Sequence, residues 1–322
     1  MDISVVVAAR EDDRPPTEVL DVAAAADRLG YRELWIGEGP TWDAFALAVA
    51  IGGATERVAL TAGPVSVAVR DPASIARGAA VVETLTGRAV GVAIGTSSVR
   101  VVEGVHGRSR AHAATVLADS ARALRPLIGP AATPPDPTEP PRHGFRRRLP
   151  PASGPLTVAA FGDRAIAVAA EYADRMVLDL VSPEQVRTLR GKLEAAAADA
   201  GRPAPRLAAW LPAAVEPDDA SYAQILGGIA GYLTVRGYRE MFVAAGFGAA
   251  VDLAAEGADR DRLLAALPPE AAGVVGLVGD ADVLRARLAE YAAAGLDEAA
   301  IHPATAGDPA GERTLAALVP SD

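Results

Sequence analysis

No cysteine occurs in the 322 residues. That excludes a disulfide framework, a thiolate metal site and a cysteine nucleophile. Lysine is almost missing as well: Lys192 stands alone beside thirty arginines. The bias, together with abundant alanine, fits a GC-rich coding sequence, and it removes lysine as a Schiff base or as the phosphate ligand of a Walker loop. Histidine is limited to His106, His112, His143 and His302, with no HExxH-like spacing, so no metal is expected. Aromatic residues make up 4% of the chain, which leaves few rings for stacking. No apolar run approaches the roughly 18 residues of a membrane span. The start, MDISVVVAAREDD, has no basic segment before its short apolar stretch, and it reads as a strand rather than a signal peptide. A cytoplasmic location with no membrane partner is expected. The net charge of −10 argues against a nucleic-acid partner.

What is present is a globular composition, 50% hydrophobic and 22% charged, which can bury a core. The length suits about two domains, or one (β/α)₈ barrel of roughly 250 residues with insertions. Strand and helix patterns alternate. Strands are expected at Ile3–Ala8, Leu34–Gly37, Val58–Val65, Ala89–Ile94, Leu156–Ala160, Met176–Leu180, Leu207–Val215 and Ala299–His302, as buried apolar runs. Helices are expected at Thr17–Leu29, from Asp43 to Ala54, from Pro72 to Leu85, at Ala111–Leu127, from Pro183 to Ala200 and at Ala281–Ala294. Residues 218–275 read as consecutive helices, so extra helices precede the last strand. Residues 129–155 are rich in proline and carry Arg146-Arg147-Arg148; they read as an insertion loop. The rhythm resumes beyond them, so residues 1–322 are expected to form a single domain.

Eight strands alternating with helices predict a parallel sheet closed as an α/β TIM barrel. An open dinucleotide fold would carry GxGxxG after the first strand, where this chain has Ala8-Ala9-Arg10-Glu11-Asp12. In a TIM barrel the chemistry sits at the C-terminal strand ends. Those ends supply Glu38, Gly63-Pro64-Val65-Ser66, Gly95-Thr96-Ser97-Ser98, Ala160-Phe161-Gly162-Asp163, a position near Asp179, and His302-Pro303. Glu38 at the rim of an apolar strand suits an acceptor or a general acid/base, and equally a capping or arginine-pairing carboxylate. Thr96 to Ser98 suit an anion or cofactor cradle, or an ordinary helix cap; Gly162 has the same two readings. Pro64 cannot donate within a central parallel strand, so it demands a bulge or a strand end, and the preceding peptide is one where cis is accessible. His106 is a surface residue or a catalyst. Trp42 lines a pocket or packs.

Ordered stretches along the chain resemble the bacterial luciferase-like monooxygenase superfamily, in particular its branch dependent on the deazaflavin coenzyme F420. They include Ala26-Asp27-Arg28-Leu29-Gly30-Tyr31, Leu34-Trp35-Ile36-Gly37-Glu38, Ala54-Thr55-Glu56-Arg57-Val58, Arg70-Asp71-Pro72, Thr84-Leu85-Thr86-Gly87-Arg88, Val102-Glu103-Gly104-Val105-His106-Gly107, Ala160-Phe161-Gly162-Asp163-Arg164 and Tyr291-Ala292-Ala293-Ala294-Gly295. The resemblance implies a TIM barrel holding a flavin or deazaflavin in its mouth, in a homodimer acting on a small-molecule substrate. It places Glu38, Gly63, Pro64, Val65, Ser66, Thr96, Ser97, Ser98, Ala160, Phe161, Gly162 and Asp163 at the cofactor. It assigns catalysis to Glu38 with His106, and substrate contact to Trp42 and His302. Gly39 stands where the family often has histidine, Asp163 where proline is common and Arg175 where glycine is usual.

The expected function is hydride transfer between coenzyme F420 and a small organic substrate, with Glu38 as the proton-carrying acid. An FMN-dependent monooxygenase using oxygen, and a cofactor-free binding or structural relative, are the alternatives.

Overall fold

A computed structural model describes residues 1–8, 14–40, 42–130, 132, 148–235 and 237–319. Ala9 to Asp13, most of the 129–155 segment and Arg146-Arg147 of its basic run lie outside the described residues. The strands are β1 (Asp2–Ala8), β2 (Glu33–Gly37), β3 (Ala59–Ser66), β4 (Val90–Gly95), β5 (Leu156–Ala159), β6 (Arg175–Asp179), β7 (Arg206–Val215), β8 (Leu277–Gly279) and β9 (Glu298–Pro303). All pairings between them are parallel. β1 to β7 and β9 close into an eight-stranded barrel, because β6 pairs with β7 and β9 bridges β7 to β1.

The structure adds β8, a three-residue strand on the upper part of β7. Three residues carry no readable periodicity, so the sequence pattern leaves them unassigned between the helical stretch 218–275 and the helix from Ala281. A π-helix at Arg100–Val105 is likewise unannounced, and it delays the helix expected from Ala111 to Ala113–Leu124.

The helices on the barrel wall begin with α1 (Glu18–Arg28), α2 (Ala44–Ala54), α3 (Pro72–Thr86), α4 (Ala113–Leu124), α5 (Asp163–Tyr172) and α6 (Pro183–Asp199). Their starts follow the chemistry of capping. Asp43 accepts the Phe45 and Ala46 amides at 2.9 Å each, Asp71 accepts the Ser74 amide ahead of Pro72, and Ser182 with Gln185 forms a reciprocal box, each satisfying otherwise unpaired N–H groups. The run 218–275 folds as α7 (Asp219–Ala230), α8 (Tyr238–Ala244), α9 (Gly248–Ala255), α10 (Arg260–Ala266) and α11 (Glu270–Val275). These helices share their own apolar cluster with Leu180 and Ala214, so they pack over the upper ends of β6 and β7. α12 (Ala281–Ala293) and α13 (Glu312–Leu318) complete the ring. Among the described residues no helix is long and apolar enough to cross a membrane.

Strand alternation sorts side chains between wall and lumen. Outward positions such as Val5, Leu34, Ile36, Leu60, Val92 and Leu207 pack on the helices. Inward ones, Val6, Trp35, Ala93, Val177, Ala208 and Ala300, fill the middle of the lumen. Below them lies a polar plug at the strand starts. Arg175 bonds Glu33 at 2.8 Å and Glu298 at 2.7 Å, and its guanidinium lies 4.0 Å from the Trp35 ring centroid. The Trp35 indole and Ser4 hydroxyl also donate to Glu298. Arg175 therefore belongs to the barrel floor, at the end opposite the C-terminal strand ends. Its departure from the family pattern is compensated inside the fold by the two glutamates, and it leaves the mouth untouched.

Candidate active site at the barrel mouth

The upper ends of the strands present small inward residues above Trp35, namely Ala8, Gly37, Pro64, Gly95 and Ala159. Gly37 is small for a steric reason. A Cβ there would sit 3.0 Å from the Ala8 Cβ and 3.4 Å from the Trp210 indole. Trp210 reaches across from β7 to that point and meets Trp35 edge-on, with ring centroids 6.0 Å apart at 80°. The two tryptophans form the floor of the mouth.

The irregularity expected at Gly63-Pro64 is present. The Gly63–Pro64 peptide is cis and the β3–β4 register shifts between Ala62 and Val65. The shift changes the parity of the strand end. Val65 packs outward on the helices, while Ser66, the register partner of inward-facing Gly95, faces the mouth. The Ser66 hydroxyl oxygen is buried and finds no hydrogen-bond partner among the described residues. The indole N–H of Trp210 shares that condition. Buried polar atoms are nearly always paired, and leaving one unpaired costs about 1–3 kcal/mol. Both atoms belong to inward positions near the upper ends of their strands.

Glu38 follows β2 and is held by Arg70, with Nη2 to Oε2 at 2.6 Å and Nε to Oε1 at 3.2 Å. Arg70 also bonds Asp43 at 2.7 Å and lies 5.5 Å from the Phe45 ring centroid. Glu38 is thus an arginine-paired carboxylate, and its Oε2 also accepts the Ala44 amide at the start of α2 at 3.4 Å. Partial burial would raise the Asp43 carboxyl, but Arg70 and the Ala46 and Phe45 amides outweigh it and hold Asp43 below its ordinary range.

Thr96 and Ser97 follow β4 and are fixed by Arg110, whose Nε donates to the Ser97 carbonyl at 2.8 Å and whose Nη2 donates to the Thr96 hydroxyl at 3.1 Å. Ser97 takes a left-handed backbone, φ +55°. Ser98 caps the π-helix by accepting the Val101 amide. His106 ends that helix and is exposed, so the structure gives it no partner in the mouth. Trp42 and His302 do come together. They line one narrow cleft with Ala8, Arg14, Glu18 and Thr305, between the ends of β1 and β9.

Ala160, Phe161 and Gly162 lead from β5 into α5. Gly162 is exposed, with open space at its Cβ position. Asp163 turns to the surface, where it pairs with Lys192 at 2.7 Å. Phe161 packs on Tyr238 with centroids 4.8 Å apart, and Tyr238 on Tyr232 at 5.1 Å. This aromatic wall encloses Asp179, the last residue of β6. Burial pushes the Asp179 carboxyl up to about 6, against the smaller opposing effects of the Tyr232 hydroxyl and the Leu180 amide. The Asp179 charge, and then burial, hold the Tyr232 phenol well above its usual range, so it remains a donor. The sequence marks Asp179 as a strand end without giving it a role. Arg70 enters only within a matching stretch, and Trp210, Arg110 and Tyr232 pass unremarked. Inward parity in β7 was the available signal for Trp210; the others depend on contacts distant in the chain.

A family model described as luciferase-like monooxygenase matches residues 1–298. No curated protein matches by sequence. Solved structures of similar fold include a coenzyme F420-dependent tetrahydromethanopterin reductase from Methanopyrus kandleri, at 15% identity and TM-score 0.77, covering 99% of this chain and 98% of that one. An F420-dependent secondary alcohol dehydrogenase in complex with an F420–acetone adduct aligns at 17% identity and TM-score 0.72, with 98% of each chain covered. The oxygenating constituent of 3,6-diketocamphane monooxygenase from Pseudomonas putida, in complex with FMN, aligns at 15% and 0.68, covering 99% of this chain and 96% of that one.

Proposed function

The chain belongs to the luciferase-like monooxygenase family, and on that premise we propose a two-electron oxidoreductase that takes coenzyme F420 and transfers hydride to or from a small organic substrate. The observation that carries the proposal is the pair of unpartnered polar atoms, Ser66 Oγ and Trp210 Nε1, at a mouth walled by glycine, alanine and proline. A flat conjugated ring with acceptors and donors along one edge matches both features: the small residues leave room for its face and the two atoms offer partners to its rim. When bound, the deazaflavin supplies the hydride-carrying centre.

This chain's own residues do the rest. Ser66 and the Trp210 indole bind the polar edge of the ring. Arg110, fixed on Thr96 and Ser97, places a guanidinium beside those hydroxyls for an anionic tail. Trp42 and His302 border the β1–β9 side of the mouth. The fold neighbours that depend on F420 favour the deazaflavin; the neighbour bound to FMN supports an oxygen-using monooxygenase as the second reading. A homodimer belongs to the same proposal, and sedimentation at micromolar concentration tests it.

The deciding experiment is a fluorescence titration with F420 and with FMN. F420 is expected to bind at least tenfold tighter, a difference of about 1.4 kcal/mol. Tenfold tighter FMN binding selects the monooxygenase, and binding of neither removes the redox assignment.

A further inference from the structure

Asp179 is a carboxyl at the mouth that the cofactor does not need. It ends β6, its register partner on β7 is Trp210, and both are inward positions. Its surroundings come from four elements: Trp210 from β7, Phe161 after β5, Tyr232 after α7 and Tyr238 at the start of α8. The titratable groups among these are the two phenols, and no basic side chain is among the groups that set its ionisation. The backbone beside it is strained. Leu180 has φ +48°, a conformation that a branched side chain rarely adopts and that persists only where the surrounding structure imposes it. The Leu180 amide is held on the Trp210 carbonyl at 3.3 Å. A carboxyl at a strand end, held by a strained turn among aromatic rings and with no counter-ion among the described residues, is not a stabilising arrangement.

We propose that Asp179 is a further catalytic residue, the proton donor and acceptor for an uncharged carbonyl or hydroxyl substrate, with Tyr232 positioning its carboxyl. The inference rests on the redox reading above and names the substrate class of that site. In the reducing direction the carbonyl carbon receives the hydride and the C=O π bond breaks toward oxygen. That oxygen takes the proton of the Asp179 carboxyl, giving the alcohol; water then reprotonates the carboxylate. In the oxidising direction the carboxylate accepts the hydroxyl proton as the C–H hydride leaves. An uncharged substrate follows from the walls: aromatic rings and Leu180 offer no cation to an anionic group, and a carboxyl that is neutral at mildly acidic pH repels none. The side-chain affinities fit geometry first and protonation second, as general acid–base chemistry requires.

Two measurements test this. In the ligand-free protein, carboxyl ¹³C NMR with Asp179→Asn as the assignment control is expected to show one aspartate titrating near pH 6; a midpoint below about 4.5, close to the ordinary aspartate value, overturns the proposal. With F420 and a panel of small ketones and secondary alcohols, Asp179→Asn is expected to bind F420 within twofold of wild type while kcat falls roughly 10²–10⁴-fold and the ionisation near pH 6 leaves the kcat profile. Tyr232→Phe is expected to keep turnover but displace that ionisation. A kcat within threefold of wild type in Asp179→Asn, or F420 binding without turnover of any ketone or alcohol, overturns the role of Asp179 alone. Failure of the wild type to bind F420 overturns the redox reading and this inference with it, a result the titration separates from the other two.

Discussion

Asp179→Asn is expected to stabilise the protein above pH 6, and the gain follows from the structure. The Asp179 carboxyl moves from an ordinary 3.8 to about 6 on folding, roughly two pH decades, each equivalent to about 1.4 kcal/mol. The sign is fixed by linkage. The folded state holds the proton more tightly than the unfolded chain, so stability is lost as pH rises. Below pH 3.8 the carboxyl is neutral in both states and imposes no penalty. Between 3.8 and 6 the unfolded chain ionises first, and the penalty grows to a plateau of about 3 kcal/mol. Asparagine has nearly the same shape and no charge, so it removes the pH-dependent part and leaves at most a constant offset. Urea unfolding of both proteins at pH 4 and pH 8 isolates the effect, since the offset cancels in the difference. The variant is expected to gain about 2 kcal/mol or more relative to wild type between the two pH values. Parallel stability curves would refute the reasoning, because they would mean that Asp179 ionises equally easily in the folded and unfolded chains.

Three further outcomes are expected. Arg175→Met leaves Glu298, 2% exposed, without its guanidinium, and is expected to destabilise by about 3–5 kcal/mol in chemical denaturation. Gly63→Ala puts a Cβ against the Ala93 carbonyl and the Val65 amide at φ +112°, and is expected to lose more than about 1 kcal/mol of stability. Glu38→Gln removes the charge that fixes Arg70, and is expected to weaken F420 binding about tenfold, equivalent to about 1.4 kcal/mol, while leaving the ionisation near pH 6 in the kcat profile; loss of that ionisation would return the acid role to Glu38.

The barrel was legible because each wall strand is a continuous apolar run, and that signal is carried by neighbours in sequence. Leu34-Trp35-Ile36 reads as buried without knowing what buries it. Pro64 was legible for a similar local reason, since a ring nitrogen cannot donate to a ladder. The mouth was legible only as a set of strand ends. Glu38 and Asp179 both close apolar strands and both carry a carboxylate, yet one finds Arg70, 32 residues on, and the other finds phenols from the helices beyond β7. Nothing local distinguishes them. The Asp163 side chain was illegible for the same reason: its partner is Lys192, 29 residues away on the next helix, and the pair lies at the surface.

β6 contains the argument in five residues. Arg175 and Asp179 are four positions apart on the same strand, so both face the lumen. Arg175 lies at the floor, where Glu33, Glu298, Thr61 and Thr157 supply partners from four other strands and a tryptophan ring covers it. Two carboxylates around one guanidinium raise its already high pKa, overcoming burial, and leave no group free to react. Asp179 lies at the mouth, where it receives a phenol and an amide, and burial prevails over both. A charge that the fold compensates fully is structural, and its loss destabilises. A charge that the fold compensates poorly is costly to house, and its loss stabilises. Arg175→Met and Asp179→Asn are therefore expected to change stability in opposite directions at pH 8, from two inward positions of one strand with Val177 between them. Changes of the same sign would show that position in the barrel, rather than compensation by partners, governs the energetics of these two charges.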